Sequence, residues 1–348
     1  MSTAKKMRLL IVGSKEPYAL EKSYIDNLSK DIDVELFDSH DVFLNYYQKN
    51  SINKLIFRLG ISRIFPKINN ALLHFLSQNT FDVIWVFKGM EIYPSTLKKI
   101  KESGVKLVNY NADHPFMYFS KGTGNKNVFD GIKHYHHHFS YSQSIVKRIK
   151  TEYSISSSWL PFGFTNAKKP ALKENEEINK VCFIGNPDSN REKVINTLLQ
   201  NKIAVDVYGN GWDNLFANNS YIKTHPPVYS ETFVETAQKY RVQLNVFRPH
   251  NLGSHNMRTF EMPALGCIML APVSHEHSEL FVECTEAFFY ENDEELIKKC
   301  TLILDLTFDK ANEIRKSAYQ RSIHSGYSYS DRAEEVLKKI TTILSQNE

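Results

Sequence analysis

At 348 residues, with 42% hydrophobic and 24% charged side chains, the chain has a globular balance that excludes intrinsic disorder, and it is longer than one hydrophobic core usually supports. A formal net charge of +4 is too small to point to nucleic acid, and no stretch approaches the roughly 20 apolar residues that span a bilayer. Four cysteines, Cys182, Cys267, Cys284 and Cys300, lack CxxC spacing and sit in apolar or amphipathic runs, so we expect reduced packing residues of a cytoplasmic protein, with neither disulfides nor a zinc site.

The run MRLLIVGS reads as a buried strand, because its apolar part is too short for a signal peptide and stops at Gly13. A helix is expected from about Tyr18, then a second strand in DVELFDS. Between Val42 and Gln78 the pattern is helical, and there Lys54, Arg58, Arg63 and Lys67 fall among Leu55, Ile56, Phe57, Leu59, Ile61, Ile64, Phe65 and Ile68. Two readings fit this basic amphipathic segment: a helix packed on its own domain with its cations in water, or a peripheral contact with the inner face of an anionic membrane or a lipid-linked acceptor. Strands in FDVIWVFKG, KLVNYNAD and HHHFSYS follow, with helices in STLKKIKESG and SQSIVKRIKTEY, and a short strand or turn in SSSWLPFGF closes a parallel α/β domain spanning 1–164.

Residues 165–178, polar with one proline, read as an exposed linker. A second α/β domain over 179–330 has strands in KVCFIGN, IAVDVYGNG, VQLNVFR, CIMLAP and AFFYE, alternating with helices, and a last helix over 331–348 is expected to return to the first domain. No repeat of solenoid or propeller length occurs.

In open parallel sheets ligands bind beyond the carboxyl ends of the strands. The richest such loop is FRPHNLGSHNMRTFEMPALG, where a strand ending at Phe247 leads into a helix running from about Asn256 to Leu265. Unpaired amides and the positive dipole end of that helix suit a diphosphate, and Arg248 and Arg258 would add charge-assisted bonds. Glu261 lies in an apolar neighbourhood and needs a partner: solvent, Arg258 three residues earlier, or the two hydroxyls of a ribose.

The Phe-Glu-x-x-Ala-x-Gly helix, CIMLAP, EAFFYENDEELIKKC and the late GYSYSDRAEEVL together resemble the C-terminal domain of group 1 glycosyltransferases, specifically the CgeB-like (spore maturation protein) branch. VFKGMEIYPSTLKKIKESGVKLVNYNADHPF, WLPFGF, VCFIGNPDSNRE and VYGNGW fit the same order from about Phe81 onward. The resemblance implies a GT-B enzyme: two Rossmann-like domains facing a central cleft, a nucleoside diphosphate sugar on the second, and a glycan, lipid-linked or protein acceptor on the first. It also implies that Glu261 binds the donor ribose and that the preceding loop touches diphosphate and sugar. Many group 1 enzymes carry another glutamate about eight residues earlier, where this chain has Gly253, so backbone amides from Leu252 through Gly253 and Ser254 to His255 are expected to meet the sugar.

Weaker candidates sit at other strand ends. Gly185, Asn186 and Arg191 are placed for a phosphate; Tyr208, Gly209 and Trp212, or Tyr229 and Ser230, for the base. On the acceptor side, Asp113 and His114 are candidate proton acceptors, although Asp113 equally suits a turn cap before Pro115. Lys88, Gly89, Gly13 and Ser14 end neighbouring strands and would let an acceptor or diphosphate come close. In the run His134, His136, His137 and His138, strand alternation puts at best His136 and His138 on one side with no acidic cluster, so a structural role is expected rather than a metal. No Asp-x-Asp pair of the metal-dependent sort is seen, and no cofactor is expected beyond the donor itself. Two other functions stay open: a nucleotide-sugar epimerase of the same architecture, and a non-catalytic glycan or partner-binding protein.

Overall fold

The structure, a computed structural model, describes residues 6–117, 124–216, 219–248 and 253–346. The chain divides into two compact units, one of residues 1–161 with 329–348 and one of residues 162–328.

The first unit is built on β1 (Arg8–Gly13), β2 (Asp33–Asp38), β3 (Val83–Phe87), β4 (Lys106–Asn111), β5 (His137–Ser140) and β6 (Ser156–Trp159). All pair in parallel in the order β2-β1-β3-β4-β5-β6, so the order reverses between β1 and β3. Period-two alternation sends Leu9, Ile11, Trp85, Phe87, Val108 and Tyr110 to one core and Leu10, Val12, Ile84, Val86 and Leu107 to the other. The intervening helices are α1 (Leu20–Leu28), α2 (His40–Gln48), α3 (Ser51–Arg58), α4 (Ile64–Gln78), α5 (Pro94–Glu102), α6 (Lys126–Gly131) and α7 (Gln143–Tyr153). The helical stretch expected over Val42 to Gln78 is thus three helices: Asn50 caps α3 by accepting the Asn53 amide, and Gly60 at φ 73° breaks the chain before α4.

The second unit carries β7 (Ile178–Ile184), β8 (Val205–Tyr208), β9 (Ile222–His225), β10 (Tyr240–Leu244), β11 (Met269–Pro272) and β12 (Phe288–Tyr290), also parallel, ordered β12-β11-β10-β7-β8-β9 with its reversal between β7 and β10. Its helices are α8 (Ser189–Gln200), α9 (Ser230–Lys239), α10 (Met257–Ala264), α11 (His275–Leu280), α12 (Asp293–Leu304) and α13 (Phe308–His324). The final helix α14 (Tyr329–Ser345) lies in the first unit, where Tyr329, Ala333, Val336 and Ile340 form a helical stripe buried with Tyr24 and Leu28 of α1.

Two boundaries and the character of one segment differ from expectation. The first division falls after Pro161 because Phe162 and Phe164 are buried in the second unit, the Phe164 amide donating to Tyr327 O. The second falls before Tyr329 instead of after residue 330, with Tyr329 already in the stripe of α14. Residues 165–178 are a strap bound to the second unit instead of a free linker. Lys168 N–H donates to Ala264 O, Pro170 packs so closely on Gly266 that a Cβ there would stand 2.3 Å from its Cγ, and Glu177 holds the buried Arg241 and Arg315. Three elements went unread in the sequence: the short helix α6, capped by Asn125, edge strand β9, whose Lys223, Thr224 and His225 are not an apolar run, and the polar helix α11, capped by Ser274.

Candidate functional site

At the reversal of the second sheet, the loops leaving β7 and β10 lead into α8 and α10. Asp188 caps α8, accepting the amides of Asn190 and Arg191 at 3.1 Å. Asn256 caps α10: its Oδ1 accepts the Thr259 amide and its Nδ2 donates to Asn245 Oδ1 at 2.7 Å. A buried polar network fixes this cap, with Thr259 Oγ1 2.9 Å from His277 Nε2 and His277 Nδ1 2.9 Å from Pro272 O. Because the carbonyl can only accept, Nδ1 carries the proton, and burial pushes the His277 pKa down to about 4, keeping the ring neutral.

Three arginines gather at these strand ends. Arg191 lies over the Phe183 ring at 5.3 Å and donates to Asn186 O, while Arg258 lies over Phe233 at 4.2 Å. Burial lowers the Arg191 pKa most; Asp188 opposes this, and the positive charges of Arg248 and Arg258 lower it further. Arg248 and Arg258 thus lie near enough to Arg191 for their charges to act on it, and Arg248 is exposed. Glu261 accepts from Arg258 Nη1 at 2.6 Å, which realises the local pair its spacing allowed; the Glu261 side chain keeps 23% exposure.

Not every candidate is free to bind. Ser254 Oγ and His255 Nδ1 both bond Glu276 Oε2, at 2.5 and 2.6 Å, and His255 Nε2 accepts the Phe162 amide, so both side chains are buried and engaged. Gly253, at φ 79°, has open space where a Cβ would point, and Leu252 lies outside the described residues. The Gly185 amide donates to Tyr208 O and Asn186 Oδ1 accepts the Asn210 amide, so these two loops brace each other and the Gly185 amide is engaged within the sheet end. Their approach is tight enough that a Cβ on Gly209 would stand 2.4 Å from Gly185 O. Trp212 is fully buried with its indole N–H on Gly185 O, which removes it from any base pocket. Tyr208 stacks on His225 at 4.3 Å, and Tyr229 is exposed at the start of α9 with Ser230 at φ 50°.

The first unit differs sharply at its own reversal. The Ser14 amide donates to Glu21 Oε1 at 2.9 Å, its hydroxyl bonds both Asp41 oxygens, and the Lys15 amide donates to Asp41 at 2.7 Å. Two buried carboxylates thus fill the turn where Gly13 and Ser14 were expected to let an acceptor or diphosphate come close, and a Cβ on Gly13 would stand 2.3 Å from Glu21 Oε1. Lys88 (φ 57°) pairs with Asp113 at 2.5 Å next to Gly89 (φ 89°), and His114 Nδ1 accepts the Phe116 amide.

Sequence reasoning missed a pair beside this turn. His40, the first residue of α2, places Nδ1 2.8 Å from Glu91 Oε1, and Glu91 is 3% exposed while the His40 side chain keeps 32%. The hydrogen bond from Glu91 raises the His40 pKa; burial opposes it, the Glu91 charge adds to it, Lys88 lowers it and Asp41 raises it. Nothing in the sequence joins residues so far apart.

The histidine run is structural. His137 sits between Ser156 and Ser158 hydroxyls at 2.8 Å, His138 bonds Ile132 O and Asn109, and His136 Nδ1 accepts the Leu107 amide. Among the described residues no helix is long and apolar enough to cross a membrane.

Comparison with known proteins agrees with this architecture. Residues 191–338 match the family described as "Glycosyl transferase-like". A search of curated protein sequences finds no match. Among solved structures, a glycosyltransferase from Rickettsia africae superposes with a TM-score of 0.68 at 14% identity, covering 98% of this chain and 99% of that one. Sucrose-phosphate synthase from Thermosynechococcus elongatus superposes at 0.72 with 10% identity, covering 98% and 100%. HepE from Anabaena, crystallised with UDP-glucose, gives 0.64 at 12% identity, covering 97% and 100%. The fold is GT-B, with two Rossmann-like units, and most of the second unit is glycosyltransferase-like in sequence.

Proposed function

We propose that this chain moves a hexose from a nucleoside diphosphate sugar to a hydroxyl of a glycan, lipid-linked or protein acceptor, as a member of the CgeB-like branch and without a metal ion. The observation that carries this reading is the gathering of Arg191, Arg248 and Arg258 at the reversal of the second sheet, beside the capped start of α10. Glu261 and Asp188 offset two of these three positive charges, so one net positive charge is left for a diphosphate, and fixed cations with a helix dipole stabilise the charge that grows on it as the glycosidic bond breaks. That the Anabaena relative was crystallised with UDP-glucose supports the same donor class here.

In this reading Arg248 and Arg258 take the diphosphate, and Arg191, held against Asn186, adds charge from beneath. Glu261, oriented by Arg258, accepts from ribose hydroxyls, and Gly253 leaves room for the sugar. Tyr229 and Ser230 are the candidates for the base. On the first unit, Lys88 already neutralises Asp113, and His114 Nδ1 is occupied. Proton acceptance from the acceptor hydroxyl therefore falls to Nε2 of His40, whose ring Glu91 orients through Nδ1–H. The charge of Lys88 acts on the same ring.

The test is mass spectrometry of the purified protein with a panel of UDP, GDP, dTDP and CMP sugars, with and without acceptor glycans and with a chelator. Transfer that needs an acceptor and survives the chelator supports the proposal. Conversion of donor alone would make it an epimerase, and failure of every nucleoside diphosphate to bind would make it a non-catalytic module.

A further inference from the structure

Helix α3 is fixed in place yet turns an apolar face to solvent. Its inner side is anchored by Phe57, whose ring lies 4.9 Å from Phe43, 5.6 Å from Tyr47 and 5.4 Å from Phe65, and by Asn53 Nδ2, which donates to Tyr46 O at 2.8 Å. At about 100° per residue, the side opposite Phe57 carries Ile52, Leu55 and Leu59. These are 67%, 57% and 63% exposed, and Ile61, just beyond the helix, is 68% exposed. No residue of α3 is buried. A surface helix ordinarily does the reverse, burying its aliphatic stripe and wetting its polar one.

The charge along this stretch of chain has one sign. Between Asp41 and Asp82 the sequence holds no aspartate or glutamate, while Lys49, Lys54, Arg58, Arg63 and Lys67 all fall there. Arg58 and Arg63 are exposed beside the stripe, and Lys54 lies over the Tyr47 ring at 5.9 Å. An apolar protein partner would satisfy the stripe but not this rim. A bilayer with anionic headgroups satisfies both, taking the aliphatic side chains at the acyl boundary and the cations at the phosphates.

We propose that α3 and the turn after it dock this protein in plane onto an anionic lipid surface, with Ile52, Leu55, Leu59 and Ile61 inserted and the surrounding lysines and arginines on the headgroups. This is independent of the donor reading, since none of these residues belongs to the second unit.

The experiment is co-sedimentation of the intact chain with large vesicles of phosphatidylcholine, alone or mixed with phosphatidylglycerol, at low and high salt. Binding is expected to the mixed vesicles only, weakened by salt. Leu55→Ser with Leu59→Ser should abolish it, and Arg58→Gln with Arg63→Gln should weaken it about tenfold or more. Both variants should keep the wild-type melting temperature, because the altered side chains are exposed. Absence of binding to mixed vesicles overturns the proposal. So does equal binding to both compositions, or a face that instead drives a dimer broken by the serine variant.

Discussion

The two units share a parallel six-stranded sheet with one order reversal, yet they treat that reversal in opposite ways. In the second unit the strand ends gather Arg191, Arg248 and Arg258 around a helix start capped by neutral Asn256. In the first, the turn after β1 is filled by Glu21 and Asp41, with Glu91 buried behind His40. The same architecture therefore collects arginines at one reversal and buried carboxylates at the other, which under the proposed function makes the first the donor's anion site and the second the place of proton acceptance. Strand order fixes where a site lies; the side chains of the turns fix which charge it takes.

The largest effect should come from the acidic side of this comparison. His40→Ala is expected to lower kcat by roughly 10²–10⁴ while leaving nucleoside diphosphate affinity unchanged by calorimetry. The pH profile sharpens it. Glu91 holds His40 above its ordinary 6.5, so activity should rise with pH through a pKa above that value. Glu91→Gln should move this limb to lower pH, and an unmoved limb would assign the proton to another group.

On the basic side, Glu261→Ala removes a ribose acceptor but also frees Arg258 from its pair, so donor affinity should fall by about tenfold. An unchanged affinity would remove Glu261 from the site. A smaller effect concerns stability in acid. Burial pushes His138 and His277 down to about 4, below the unfolded value of 6.5, so each contributes stability fully present above 6.5 and lost as pH falls toward 4. Urea melts should show that loss over this window, on the order of 3 kcal/mol for each histidine. His277→Gln should reduce it.

The candidate site of the second unit could be assembled in one dimension because its parts are close in sequence. Asn256, Arg258 and Glu261 lie within two turns of one helix, and cap, dipole and i,i+3 pairing are local rules. What escaped was non-local. Nothing local announces that Glu276 holds the side chains of Ser254 and His255, or that Glu21 and Asp41 enter the turn at Gly13 and Ser14, where an acceptor or diphosphate was expected to come close. The His40 and Glu91 pair depends on α2 returning to the end of β3, and edge strand β9 on a pairing that its polar side chains do not announce.

The central claim is that the arginine field of the second unit receives a nucleoside diphosphate. Calorimetric titration of wild type and of Arg258→Ala with UDP, GDP, dTDP and CDP tests it directly. At least one should bind the wild type, and the variant should bind that same compound about 10- to 100-fold more weakly with an unchanged melting temperature. Binding of equal strength to both proteins, or to neither, would contradict the account.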